Sequence, residues 1–288
     1  MKNKIKYLII IVLQLILFTG LTVKADTGPK PSVNITINFD VDSDVYVSLL
    51  AREKSNGPYQ EIVEGDHRYN ELSEMDLKFY EYAKTNDHYF WGYTKKLTKD
   101  DNIYKWTYYP PFDFLVICYI ESTNEFIVTS EELTRYAFDT YYQMDLENVN
   151  GTYVLNNIKK NYNYTGEILH FLLRVVITLA IELTLALLVF RFRGKAFLVI
   201  AVTNIITQIG LNVLLNIINY NSGSLSLIIN YILLEILILV GEMIIYLIFI
   251  KKLDKSYSTI KIIMYSILAN ALSFILGYII LSYVPGLS

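Results

Sequence analysis

Four ionisable side chains stand inside long apolar runs: Arg174, Glu182, Glu235 and Glu242. Each costs roughly 2.5–3.5 kcal/mol at the centre of a membrane-spanning helix, so each needs a partner or a task. Glu167, His170, Arg174 and Glu182 follow one another at spacings of three, four and eight, which places them on one helical stripe. Asn204, Gln208, Asn212 and Asn216 recur every fourth residue, and Glu235 and Glu242 stand seven apart. Ser266, Asn270, Ser273 and Gly277 make a further stripe.

Two chemistries fit these stripes. In the first, the amides hydrogen-bond between helices, Arg174 pairs with Glu235, and small residues permit close packing. In the second, Glu182 and Glu242, with amide oxygens from Asn204 and Asn270, form a site for a cation or a proton. Depth groups the residues in the same way. Glu182, Asn204, Glu242 and Asn270 fall at one level, roughly 12 Å inside the boundary on the basic-loop side. Arg174, Gln208, Asn212 and Glu235 form a second level nearer the other side.

The runs that carry these residues are four apolar segments, about 168–190, 196–218, 225–250 and 260–284. Each is long enough to cross the hydrocarbon, which needs roughly 20 helical residues. Arg191, Arg193 and Lys195 follow the first segment, and Lys251, Lys252, Lys255 and Lys261 follow the third. The loop after the second, NYNSGS, is uncharged. Basic loops stay in the cytoplasm, so the spacing predicts an antiparallel four-helix transmembrane bundle with loops 191–195 and 251–261 inside and the C-terminus outside.

Upstream, Met1–Ala25 reads as a secretory signal peptide cleaved before Asp26, with Lys2, Lys4 and Lys6 ahead of a short apolar stretch. An extracellular domain then occupies 26–165. Runs rich in β-branched and aromatic residues alternate with period two at 32–39, 45–51, 89–97, 103–109, 114–121, 125–129 and 135–146. ESTNE at 121–125 suits a hairpin turn, and helical spacing over 71–84 predicts one surface helix. The pattern implies a β-sandwich-like domain, so the whole chain has the form of an α+β multi-domain membrane protein.

Charge follows the same division. Residues 26–165 carry 13 Lys/Arg against 23 Asp/Glu, whereas 166–288 carry 8 against 5. An acidic exported domain excludes a nucleic-acid partner. The single cysteine, Cys118, rules out an intrachain disulfide and reads as a small buried hydrophobe.

Recognised catalytic patterns are missing from the sequence: it contains no HExxH, GxSxG or P-loop. Asp40, Asp42 and Asp44 begin like a calcium loop, but Val45 and Ala51 stand where glycine and the closing glutamate belong. Glu131, Glu132 and Arg135 approach the pattern of intramembrane CAAX-type proteases, with a spacing short by one and outside the apolar runs. His67, His88 and His170 are isolated. Trp91, Trp106, Tyr108 and Tyr109 suit either a sandwich core or a sugar-stacking platform.

DTGPKPSV (26–33), WTYYPP (106–111), RYAFDTYY (135–142), NIITQIGLNVLLNIINY (204–220), ANALSFILG (269–277) and the terminal VPG (284–286) carry a resemblance. On these segments the chain resembles a family of uncharacterised membrane proteins from Gram-positive bacteria of the clostridial type. The resemblance implies the architecture above and a cell-membrane location, and no activity. The expectation is therefore a non-enzymatic envelope protein that binds, senses or serves as an accessory, with no cofactor and no metal. Its partners would be the lipid bilayer and either a membrane protein or a second copy of itself. The alternative is a small ion-coupled transport subunit using Glu182 and Glu242.

Overall fold

The computed structural model describes residues 29–55, 57 and 59–283. The predicted signal peptide and the last residues of the chain lie outside that set. The chain divides into a β unit, Lys30–Tyr162, and a helical unit that begins at Asn163.

Two sheets make the β unit. One has the order β10 (Thr152–Lys160), β9 (Asp139–Val149), β1 (Ser32–Phe39), β5 (Ile103–Trp106), and the other β3 (Tyr89–Phe90), β2 (Val45–Ala51), β6 (Asp113–Ile120), β7 (Glu125–Val128), with β4 (Lys95–Leu97) beside β2 and β8 (Leu133–Thr134) beside β6. β1 (Ser32–Phe39), β2 (Val45–Ala51), β5 (Ile103–Trp106), β6 (Asp113–Ile120) and β7 (Glu125–Val128) arise where the alternation is cleanest. Their inward side chains meet between the sheets, Val33, Ile35 and Ile37 facing Val45, Val47, Val116 and Cys118 in one core. The second sheet buries its other face under helix α1 (Glu74–Thr85), through Phe79, Tyr80 and Ala83 against Leu50, Leu115 and Ile117. α1 starts where it does because Ser73 and Asp76 form a reciprocal capping box.

Several features depart from the sequence reading, and the run expected at 103–109 ends at Trp106. The predicted run at 89–97 is two short strands, β3 (Tyr89–Phe90) and β4 (Lys95–Leu97), because Gly92 turns the chain at φ 87°. The run at 135–146 starts later and runs further, as β9 (Asp139–Val149), and pairs in parallel with β1. A strand not anticipated, β10 (Thr152–Lys160), returns along β9 through Asn150 and Gly151, both at positive φ. Asn-Gly is the strongest short hairpin signal, and it was present in the sequence.

The DVDSD segment is a polar turn tied to lysines. Asp40 meets Lys99 at 2.7 Å and Asp44 pairs with Lys96. Lys99 holds the Asp40 carboxyl below its usual range. Cys118 is free and fully buried, and burial pushes its thiol far above the range in which a thiolate forms.

The helical unit contains α2 (Tyr164–Thr184), which continues into a π-helical turn at Leu185–Val189, then α3 (Gly194–Leu253) and α4 (Thr259–Tyr283). All three are long and apolar enough to cross a membrane. The uncharged loop expected after 218 is absent as a loop. Helix continues through it and is interrupted only at Gly223, with φ 76° and ψ 178°.

A straight helix of 60 residues would be about 90 Å long. Thr207 nevertheless hydrogen-bonds Glu242 at 2.5 Å, and Leu211 and Leu215 pack with Leu227, Tyr231 and Leu234. The two limbs therefore fold back on each other at Gly223. That backbone conformation is open to glycine and strongly disfavoured for any residue with a Cβ. Gly223→Ala is expected to cost about 1–3 kcal/mol. Gly210→Ala, where a Cβ meets nothing within 4 Å, is expected to be neutral or to stabilise by up to about 1 kcal/mol. Thermal unfolding of the two variants, measured against the parent, checks the pair.

Candidate functional site: the buried polar seam of the helical unit

Three helices, one of them a hairpin, place the polar stripes. α2 contributes Arg174 and Glu182. The first limb of α3 contributes Asn204, Gln208 and Asn212, its second limb Glu235 and Glu242, and α4 contributes Asn270. All eight side chains are buried. The surface of the same helices is aliphatic: Val176, Leu188, Leu198, Ile206, Ile236 and Ile260 are each more than half exposed. Polarity is thus inverted relative to a water-soluble bundle.

Glu242 is the best-connected member. Its Oε1 accepts from the Thr207 hydroxyl at 2.5 Å and its Oε2 from Asn270 Nδ2 at 2.9 Å. Tyr246, one turn further along the limb, donates to Asn204 Oδ1. Asn204 Nδ2 reaches the Tyr265 hydroxyl at 3.5 Å, and Tyr265 donates to the backbone carbonyl of Glu182 at 3.3 Å. Thr207 also donates to the Asn204 carbonyl at 3.2 Å, so Asn204, Glu242 and Asn270 belong to one network that links both limbs of α3 to α2 and α4.

Glu182 has a different environment. It is completely buried, and neither carboxylate oxygen has a hydrogen-bond partner in the protein. Asn270 Oδ1 is a further buried acceptor without a partner. Among the described residues there is no cluster of three or more His, Cys, Asp or Glu side chains. Any ligand at this level would meet carboxylate and amide oxygens.

The second level does not pair as expected. Arg174 donates from one Nη to Asn216 Oδ1 at 3.0 Å, and its Nε and other Nη have no partner. No ion pair joins Glu235 to Arg174: Glu235 Oε2 has no hydrogen-bond partner, and Tyr231, one turn before it, donates to the Phe274 carbonyl at 3.1 Å. Asn212 turns back to its own helix, donating to the Gln208 carbonyl at 2.9 Å. The arginine and the glutamate are both buried, and the arginine is met by Asn216.

Hydroxyls were the part that charge and amide spacing overlooked. Thr207 lies three residues after Asn204, and Tyr231 and Tyr246 extend the Glu235/Glu242 stripe by one turn at each end. The same helical periodicity would have found them, had tyrosine and threonine been counted with the polar set.

Apolar clusters flank the seam. On the side of the basic loops, Phe190, Phe192, Ile200, Ile250 and Ile262 pack together, and near Gly223 the leucines of the hairpin do so. No family model, curated protein or solved structure matches the chain.

A buried amide that holds a carboxylate leaves that carboxylate short of a donor when it is removed. Asn270→Leu is expected to destabilise the helical unit by about 1.5–3 kcal/mol. Asn221→Leu removes only an exposed bond to the helix's own Ile217 carbonyl and is expected to stay within about 0.5 kcal/mol. Denaturation of both variants in lipid or mild detergent gives the comparison.

Proposed function

We propose that the chain is a multi-pass protein of the bacterial cell membrane that works by binding and not by catalysis, with its β unit outside the cell. One observation carries the reading: the helical unit turns its carboxylates, amides and arginine inward and its aliphatic side chains outward. Lipid rewards that arrangement and water penalises it. The two limbs of α3 each exceed the roughly 20 residues of a crossing, so with α2 and α4 the unit makes four crossings. Loops 191–195 and 251–261 carry the basic residues and face the cytoplasm. The residues carrying the family resemblance support the same bacterial location.

The β unit supplies the binding part. A cavity of about 660 Å³ opens beside β2, where Trp91, Tyr109 and Phe112 meet Arg52, Lys54 and Arg135. Trp91 and Trp106 are only 5% and 4% exposed and belong to the sandwich core. Core packing therefore accounts for the tryptophans, and Tyr109 and Phe112 are what the cavity offers at its rim. With such short cytoplasmic loops, a bound state would be passed on by a membrane-protein partner or a second copy.

A second reading, an ion-coupled transport subunit, is favoured by the buried carboxylate of Glu182 without a partner. Apolar side chains pack together at both ends of the seam, which ranks this reading second.

Cysteine labelling tests the topology. In a Cys118→Ala background, Ser122→Cys and Asn221→Cys are expected to react with an impermeant maleimide on intact cells. Lys255→Cys is expected to react only after permeabilisation. Labelling of all three from one side would overturn the four-crossing topology. A photo-crosslinking residue at Phe112, 59% exposed at the cavity rim, is expected to capture a discrete product in living cells. Capture of nothing would remove the binding reading.

A further inference from the structure

Seven cations gather at one end of the helical unit and pair with no carboxylate. Arg191, Arg193 and Lys195 belong to segment 191–195, and Lys251, Lys252, Lys255 and Lys261 to segment 251–261. The only acidic side chain in either segment is Asp254, which accepts from the Ser256 backbone N–H at 2.8 Å. Among the described residues, no ion pair reaches any of the seven. Lysines of the β unit behave differently: Lys84 meets Glu64 at 2.9 Å, and Lys99 meets Asp40 at 2.7 Å. The other end of the same helices has no lysine or arginine in 164–173, 217–226 or 277–288.

Folding joins the two basic segments into one surface. The Arg193 backbone N–H donates to the Tyr257 hydroxyl at 3.1 Å, which ties the loop before α3 to the loop before α4. Phe192 is completely buried beside Tyr257 and Tyr265, with ring centroids 4.9 and 5.3 Å away. Lys261 lies over Phe192 and Tyr257, its Nζ 5.3 and 5.0 Å from their ring centroids. Such contacts hold an ammonium in place and leave its charge intact. Arg191, Arg193, Lys195, Lys252 and Lys255 are exposed in the same two segments.

Depth decides which anion these charges meet. Lys195 stands in the first turn of α3, Lys251 and Lys252 in its last, and Lys261 in the first turn of α4. At 1.5 Å per residue, each is within about 3 Å of a helix end. The loops 190–193 and 254–258 are too short to carry Arg191, Arg193 or Lys255 far beyond those ends. In a bilayer, the ends of apolar spans lie where hydrocarbon gives way to headgroups. Lipid phosphates are the anions at that level. A zwitterionic headgroup offsets its phosphate with its own ammonium, whereas a headgroup of net negative charge leaves the phosphate to the protein.

We propose that this end of the helical unit is a binding surface for anionic phospholipid, with headgroup phosphates seated on the arginines and lysines of 191–195 and 251–261. The inference rests on the membrane reading above and adds the class of lipid that the protein selects. Selection acts at one end of the helices only, because the other end carries no matching cations.

The test places purified full-length protein in phosphatidylcholine vesicles, with spin-labelled phosphatidylglycerol or spin-labelled phosphatidylcholine as the probe lipid. Electron paramagnetic resonance separates probe at the protein surface from probe in the bulk bilayer. At about 20 mM salt the phosphatidylglycerol probe is expected to associate about twofold more strongly, or better. At about 1 M salt, where the Debye length falls to about 3 Å, most of that preference is expected to vanish. The triple variant Arg191→Gln/Arg193→Gln/Lys255→Gln is expected to lose about half of the preference at low salt.

Equal association of both probes with the parent would overturn the proposal and leave the loops to an acidic protein partner. A triple variant that keeps the parent's full preference would overturn it too. Should the variant fail to accumulate, the salt series on the parent decides, and a preference unchanged at about 1 M overturns the surface. Failure here would leave the cysteine-labelling pattern unchanged, whereas failure of the membrane reading would appear as labelling of all three cysteines from one side.

Discussion

The carboxylate of Glu242 accepts one hydrogen bond from Thr207, on the opposite limb of the α3 hairpin, and another from Asn270 on α4. Three helical segments are fixed in register by that one side chain. A buried carboxylate that lost these donors would be strongly destabilising, so the segments cannot slide or rotate independently. The hairpin at Gly223 is what brings Thr207 on the first limb to this point. Apolar packing alone would tolerate several registers, since aliphatic side chains substitute for one another with little loss. Directional polar contacts remove that freedom.

The β unit is organised by the opposite rule. Its core is made by apolar side chains meeting between two sheets and beneath α1, and nearly all its charges stay at the surface, as in the Asp40–Lys99 pair, with Glu61 a buried exception that accepts from the Ser55 backbone N–H. Cys118 follows the same rule as a small apolar filler. No buried carboxylate network is needed there because water covers the outside of the unit. The two units thus divide the chain by solvent: one hides apolar groups from water, and the other hides polar groups from its aliphatic surroundings.

Much of this was legible in the residues. Period-two alternation located β1, β2 and β6 to within a residue, because one or both faces of each strand are buried and the pattern leaves little choice. Hydropathy found the apolar runs, and helical spacing placed Glu182, Asn204, Glu242 and Asn270 on inward stripes. Other features were written less clearly. Gly92 splits a run that reads as one strand. β10 is rich in Asn and Lys and has too little apolar character to register, although the Asn-Gly turn before it announces a hairpin. The segment NYNSGS looks like a loop by composition, yet helix runs through it and the reversal is concentrated in one glycine.

The sequence by itself determined which side chains must be buried and on which helical face each lies, because periodicity and the cost of exposing a group to the wrong solvent are local properties. Only the tertiary structure decided who meets whom. Arg174 finds Asn216 and not Glu235, and Glu242 gathers Thr207 and Asn270. Glu182, on an equally polar stripe, is left with neither oxygen bonded. Those outcomes depend on the rotation and axial offset of each helix against its neighbours. These are set by packing across the whole unit, and spacing within a single segment carries no record of them.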